Sequence, residues 1–302
     1  MKAWIIYYRE GALYNQAYIR FYQEEGRKLG IEVELILVEE IEFGVKNNRW
    51  FLLVQGVERE KPDFVIVRAI YPLLSKQLEA MGVMLFNNSF VSEICNDKAK
   101  TYQYLASTGI LMVDSHFYKS GQVKEQLDRG ESYKVIKSVD GHGGKQVFLV
   151  SPHSPEDDNR KEARLRISQQ RSEIIDGLGN SDVVIQPLIG SKHQDLRVYI
   201  IGNEIIASVL RTAKEGFKSN FSLGGEVSLY QLSKKEEQIV HQIIEQFDFG
   251  LVGIDFILDD EGALLFNEIE DVVGSRMLYQ CAPEINIVKR YLTYILQKIK
   301  IG

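Results

Sequence analysis

The stretch 250–276, GLVGIDFILDDEGALLFNEIEDVVGSR, constrains this chain more than any other. It reads as two apolar strands, Leu251–Leu258 and Ala263–Glu270, joined by Asp259-Asp260-Glu261-Gly262, whose acids and glycine are turn residues. A two-residue loop places Asp255 opposite Phe266 and, because side chains alternate faces, puts Glu268 and Glu270 on the face of Asp255. A three-residue loop brings Asn267 beside Asp255 instead. Three carboxylates among Ile, Leu and Phe repel one another and are costly to desolvate unpaired. A divalent cation relieves both costs, and oxygen-only ligands suit Mg²⁺ or Mn²⁺. The alternative is an edge hairpin whose exposed face is acidic.

A chain of 302 residues is long for one core, so two or three domains are expected. With 45% hydrophobic and 26% charged residues it has the composition of an ordinary globular protein, and the net charge of −6 speaks against a nucleic-acid partner. Two cysteines, Cys95 and Cys281, form no metal or redox spacing and suit a reducing compartment. No signal-like segment opens the chain and no apolar run approaches 18 residues, so a cytoplasmic protein without a membrane partner is expected.

The first ninety residues alternate strand (3–8, 32–38, 64–67, 83–86) and helix (14–29, 73–81), which implies a parallel sheet covered by helices. Arg68 ends the strand at Phe64, where such sheets place ligand contacts; its alternative role is a solvated strand-end charge. Asn88-Ser89 caps a helix expected to run through Asn96-Asp97-Lys98 to Ser107. Strands near 112–118, 133–138, 146–150 and 183–186 follow, with short helical spacing at 123–128 and a charged helix over 154–178. A hairpin over Gly202-Asn203 (196–201, 205–210), a helix at 234–247, the acidic hairpin and a closing amphipathic helix at 285–299 complete the pattern.

Lys137 ends a strand, and Asp140-Gly141-His142-Gly143-Gly144-Lys145 follows. Three glycines in four residues let backbone N–H groups approach an anion, with the lysine adding a point charge for it; a plain hairpin loop is equally glycine-rich. His142 reads as a loop residue. A cationic cluster follows: Asp195, Arg197, Arg211, Lys214, Lys218 and Asn220, then Gly224-Gly225. Its cations and amide suit a triphosphate and its metal, and its alternative is a solvated hairpin rim.

In this order the motifs resemble the ATP-grasp superfamily, most closely its RimK-like branch. The resemblance rests on Val67-Arg68, Asn96-Asp97-Lys98, Val135-Ile136-Lys137, Asp195-Leu196-Arg197, Ala213-Lys214-Glu215-Gly216, Lys218-Ser219-Asn220 and Asn267-Glu268-Ile269-Glu270, over roughly residues 60–276. It implies an ATP-grasp fold of mixed α/β and α+β class, with a parallel α/β domain (1–93), a central lid domain (94–183) and a C-terminal α+β domain (184–302). It further implies a ligase that joins a carboxylate to an amine or similar nucleophile through an acyl-phosphate made from ATP. By resemblance Lys98 and Lys137 hold phosphates and Gly141, His142, Gly143 and Gly144 fold over them. Gln186, Pro187 and Leu188 read adenine, and Asp195 and Arg197 belong to the same nucleotide set. Asp255, Glu268 and Glu270 take two Mg²⁺. Arg211, Lys214 and Asn220 serve the transferring phosphoryl group, and Arg68 and Arg276 would meet the acceptor. The chain departs from the family at Glu270, where Asn is usual, and at Asp271–Arg276, where a Pro-Gly turn is usual. Two other classes compete: a small-molecule kinase on the same scaffold, and a nucleotide-binding partner protein that does not turn over. ATP with a small carboxylate and an amine are the expected partners, and a homo-oligomer is compatible with the pattern.

Overall fold

The structure is a computed structural model describing residues 1–127, 132–144, 146–152, 161–214 and 226–301, with residues 161–166 and 301 described by backbone alone. Four parallel strands open the fold in the spatial order Glu32–Leu37, Lys2–Tyr7, Phe64–Val67, Met84–Phe86. Both faces are covered, which is why Phe64–Val67 is apolar and buried throughout. Ala3, Ile5 and Tyr7 pack with Ile19 and Tyr22 of helix Gln16–Lys28. Trp4 and Ile6 face the other way, toward Leu74 and Leu78 of helix Pro72–Ala80.

The expected alternation is interrupted at 41–58. Ile41–Lys46, Arg49–Val54 and Val57–Glu58 form a separate antiparallel meander. Asn47 and Asn48 both take positive φ, 52° and 59°, making the tight turn that asparagine tolerates and strand twist prefers. The helix expected from Asn88 to Ser107 is two helices, Ser89–Cys95 and Lys98–Leu105. Asn88 caps the first by accepting from the Val91 N–H, and Asp97 caps the second by accepting from the Lys100 N–H at 3.0 Å. A short acid offering the backbone its own acceptor favours a new helix start over continuation. The break makes Lys98 the first residue of a helix, with its N–H donated to the Val139 carbonyl at 2.9 Å.

The central sheet is antiparallel, in the order Val147–Val150, Lys134–Ser138, Val183–Pro187, His116–Tyr118. Helix Lys161–Leu178 backs it through Ile174 and Leu178, which pack with Ile136, Val183 and Ile185. The last sheet has five antiparallel strands: Glu226–Leu229, Glu204–Thr212, Gln194–Ile201, Leu251–Leu258 and Leu264–Glu270. Leu196, Val198, Ile254 and Phe256 bury one face beneath helix Lys234–Ile244. Helix Arg276–Cys281 follows the sheet, so Arg276 is a helix-start charge, the alternative to its contact with an acceptor. No helix among the described residues is long and apolar enough to cross a membrane.

The acidic hairpin starts in the register of the three-residue loop but does not keep it. Phe256 faces Phe266, Ile257 faces Leu265 and Leu258 faces Leu264, the register of a longer loop. A bulge then leaves Asn267 unpaired and sets Asp255 directly opposite Glu268, with Gly253 opposite Glu270. The expected pairing of Asp255 with Phe266 is therefore wrong, while the shared face of the three carboxylates survives.

Candidate nucleotide site

The cleft-facing side of the last sheet is ionic. Arg211 lies directly opposite Asp195, and Arg197 directly opposite Asp255. Arg197 donates from Nε and Nη2 to the two Asp255 oxygens, each at 2.7 Å. Arg211 forks onto Asp195 (Nη2 to Oδ2, 2.7 Å, with Nε on Oδ1) and reaches Asp255 Oδ2 at 2.8 Å. Asp255 is 1% exposed and Arg211 4%, so these charges stand only because they neutralise one another. Burial pushes the Asp255 carboxyl up, but Arg197 and Arg211 outweigh it and hold it well below the usual carboxylate range. Arg197 also pairs with Glu270. Gly253 makes room for this fork, since a Cβ there would sit 3.2 Å from Arg197 Cδ and 2.8 Å from Val273 Cγ2.

Two lysines enter from other elements. Lys98 donates to the Gly141 carbonyl at 2.6 Å and lies 3.2 Å from Glu268 Oε2. Lys137, 8% exposed, donates to Asn267 Oδ1 at 2.8 Å. Burial lowers its pKa from the usual 10.5 to about 8, with Glu268 opposing and Lys98 reinforcing the fall and Asp195 and Asp255 opposing it more weakly. Gly143 (φ +65°) and Gly144 (φ +73°) take the left-handed conformation that the loop over these lysines requires. Asn267 was only an alternative to Glu268 in the sequence; the bulge delivers both.

The cleft is lined by Lys98, Lys137, Gly141–Gly144, Gln186–Leu188, Asp195, Arg211, Asp255 and 267–270, so most of the expected nucleotide residues meet there. Gln186 is buried with its amide nitrogen given to Tyr102 and Ser115, both at 2.9 Å. Both N–H donors of the amide are thereby occupied. The Leu188 N–H is only weakly engaged, 3.4 Å from the Tyr133 carbonyl. Lys214 is exposed, 3.8 Å from Glu226, and does not line the cleft. Lys145, Glu215, Gly216, Lys218, Ser219, Asn220, Gly224 and Gly225 lie outside the described residues. Two lining residues were given no role in the sequence, although Asn96 stands in the Asn96-Asp97-Lys98 motif. One is His193, with φ +49° and a buried, unpartnered Nδ1. The other is Asn96, whose amide holds Asp271 Oδ2 at 2.9 Å. Arg68 and Arg276 meet in a second cleft.

Among the described residues no three His, Cys, Asp or Glu side chains are spaced to grip a metal ion. The donor chemistry nonetheless fits a hard cation: three carboxylates share one sheet face, and all three line the cleft.

The RimK-like ATP-grasp domain model matches residues 95–295, and the chain belongs to that family, a class of ATP-dependent ligases. It is 29% identical over 276 residues to the uncharacterized protein MG011 of Mycoplasma genitalium, covering 91% of this chain and 84% of that one. It is 28% identical over 229 residues to the probable alpha-L-glutamate ligase of Legionella pneumophila strain Corby, covering 74% and 71%. The solved structure of the ATP-grasp ligase PsnB with a precursor variant, Mg and ADP shares the fold at a TM-score of 0.66 and 15% identity, over 98% of each chain.

Proposed function

We propose that this chain joins a carboxylate to an amine at the expense of ATP. A carboxylate oxygen attacks the γ-phosphorus and ADP leaves; the amine nitrogen then attacks the acyl carbon, and phosphate leaves as the amine loses its proton. The observation that carries this reading is the convergence of Lys98 and Lys137, from separate elements, on Glu268 and its bulged neighbour Asn267. Phosphoryl transfer to a carboxylate needs positioning and charge neutralisation more than a protein nucleophile. Lys98 and Lys137 would hold the phosphates, and Arg211 would steady the transferring group and then the tetrahedral intermediate. Asp195 and Arg197 would hold Arg211 and Asp255 in place, and Pro187 and Leu188 would present backbone to adenine. Asp255, Glu268 and Glu270 would hold Mg²⁺, which supplies neutralisation of the polyphosphate. ADP release that requires both a carboxylate and an amine tests this reading. Release with a hydroxyl acceptor alone would replace it with a kinase.

The loop Gly141–Gly144 would act as a lid. The cleft encloses about 130 Å³, well below the roughly 300 Å³ at which small-molecule sites begin, so a nucleotide enters only if something moves. Hydrogen exchange over residues 139–146 is expected to slow on addition of Mg-ATP. Unchanged exchange at saturating nucleotide would leave a plain hairpin loop.

Lys137 gives a pH signature. A polyphosphate beside it favours the ammonium and raises its pKa from about 8. Nucleotide binding between about pH 8 and 9.5 is therefore expected to take up a proton, read by calorimetry in buffers of differing ionisation enthalpy. Without nucleotide the sign is opposite for folding: the unfolded chain binds the proton more tightly, so Lys137 contributes stability as pH rises from about 8 toward 10.5. Uptake that persists in Lys137→Arg would assign the proton elsewhere.

A further inference from the structure

The second cleft lies beyond the loop that follows Glu270. It encloses about 560 Å³, within the range of small-molecule sites, and is walled by rings of Tyr14, Tyr18, Phe21 and Tyr279. Its charged lining residues are Arg68 and Arg276, with no acid among the residues that line it, in a chain whose net charge is −6. Neither arginine is salt-bridged to a carboxylate among the described residues. Arg68 donates to the Val273 carbonyl at 3.0 Å and to the Tyr7 hydroxyl at 3.3 Å, neutral acceptors that fix it without cancelling its charge. Its near field includes Asp271, whose carboxylate is held by Asn87 and Asn96. Arg276 is exposed; its Nη1 donates to the Tyr14 hydroxyl at 2.6 Å, and its guanidinium carbon lies 4.8 Å from the Tyr14 ring centroid. A cation resting on an exposed ring is available to an incoming anion, and the ring can then take an apolar body. The backbone at Gly274, which lines this cleft, is at most about 14 Å from that at Glu270, which lines the first.

We propose that this cleft seats the amine substrate, and that this substrate carries a carboxylate together with an aromatic or bulky apolar group. The inference rests on the ligase reading for the word substrate, and on the cleft alone for the ligand class. Arg276 takes the carboxylate, Arg68 supplies the background field, and the tyrosines cover the apolar group.

L-phenylalanine and L-alanyl-L-phenylalanine are the probes, titrated by calorimetry against wild type, Arg276→Gln and Tyr14→Ser, with L-phenylalaninamide and L-alanine as controls. Tyr14 is 68% exposed and Arg276 is exposed, so both variants retain the core. At least one probe is expected to bind, about ten- to hundredfold more weakly to Arg276→Gln, as loss of one charge-assisted contact predicts. The amide and L-alanine are expected to bind more weakly than L-phenylalanine if the free amino acid is the form seated. The dipeptide alone binding would place the longer form there, with the same dependence on Arg276. Binding of neither probe, or binding indifferent to both variants, overturns the assignment. Binding without ADP release on any carboxylate leaves the cleft's ligand class standing and overturns the ligase reading. ADP release with an acceptor whose binding ignores Arg276 and Tyr14 does the reverse.

Discussion

Glu268→Gln is expected to cut ADP formation by about a thousandfold or more while leaving the fold intact. The substitution keeps the shape of a side chain that is 32% exposed and removes only its charge. That charge faces Asp255 across the hairpin and lies 3.2 Å from Lys98, the point where metal and phosphate would meet. Single groups that stabilise developing charge in a water-poor site are worth about 10²–10³ in rate, and losing a ligand to the metal adds to this. ADP production and the thermal transition, measured on one preparation, check it. A folded variant with near-normal turnover would remove Glu268 from the reaction.

Arg211→Met is expected to act twice. Arg211 forks onto Asp195 and touches Asp255, and all three are nearly fully buried. Removing one partner of such a cluster strands the others and costs about 3–5 kcal/mol of stability, readable by denaturant titration. In turnover, kcat and kcat/KM should fall together by about 10²–10³ if, as proposed, the contact serves the transition state and not the bound substrate. Arg211→Lys separates the two effects: it restores charge, and with it part of the stability, but one ammonium cannot reproduce the planar fork. If Arg211→Lys regained full turnover, Arg211 would be a structural counter-ion and no more.

Much of this site was legible because its residues announce themselves by alternation. Asp195, Arg197, Arg211, Asp255, Glu268 and Glu270 each interrupt an apolar strand at a period of two, and sheet pairing brings such interruptions together. The bulge at Asn267 was not legible, because strand periodicity fixes faces and says nothing of an extra residue between them. The break at Asn96-Asp97 was hidden by residues on both sides that suit a helix, although Asp97 is itself a good cap. The 41–58 meander had its signal in Asn47-Asn48, two residues tolerant of positive φ between apolar runs. Helix Arg276–Cys281, of six residues, is too short to show a period. The spending of the Gln186 amide on Tyr102 and Ser115 depends on tertiary packing that no local pattern encodes.

The internal contacts already made by the cations of the first cleft have a thermodynamic consequence. Lys98 is bound to the Gly141 carbonyl, Lys137 to Asn267, and Arg197 and Arg211 to Asp255. A polyphosphate reaching these cations would compete with the partners they already hold inside the chain. Binding is thus an exchange of one set of charge contacts for another, and its enthalpy is the small difference between them. Affinity should then respond weakly to single-lysine substitutions at neutral pH. Substitutions that weaken the internal partner, such as Asn267→Ala, should tighten nucleotide binding by releasing a cation already in position.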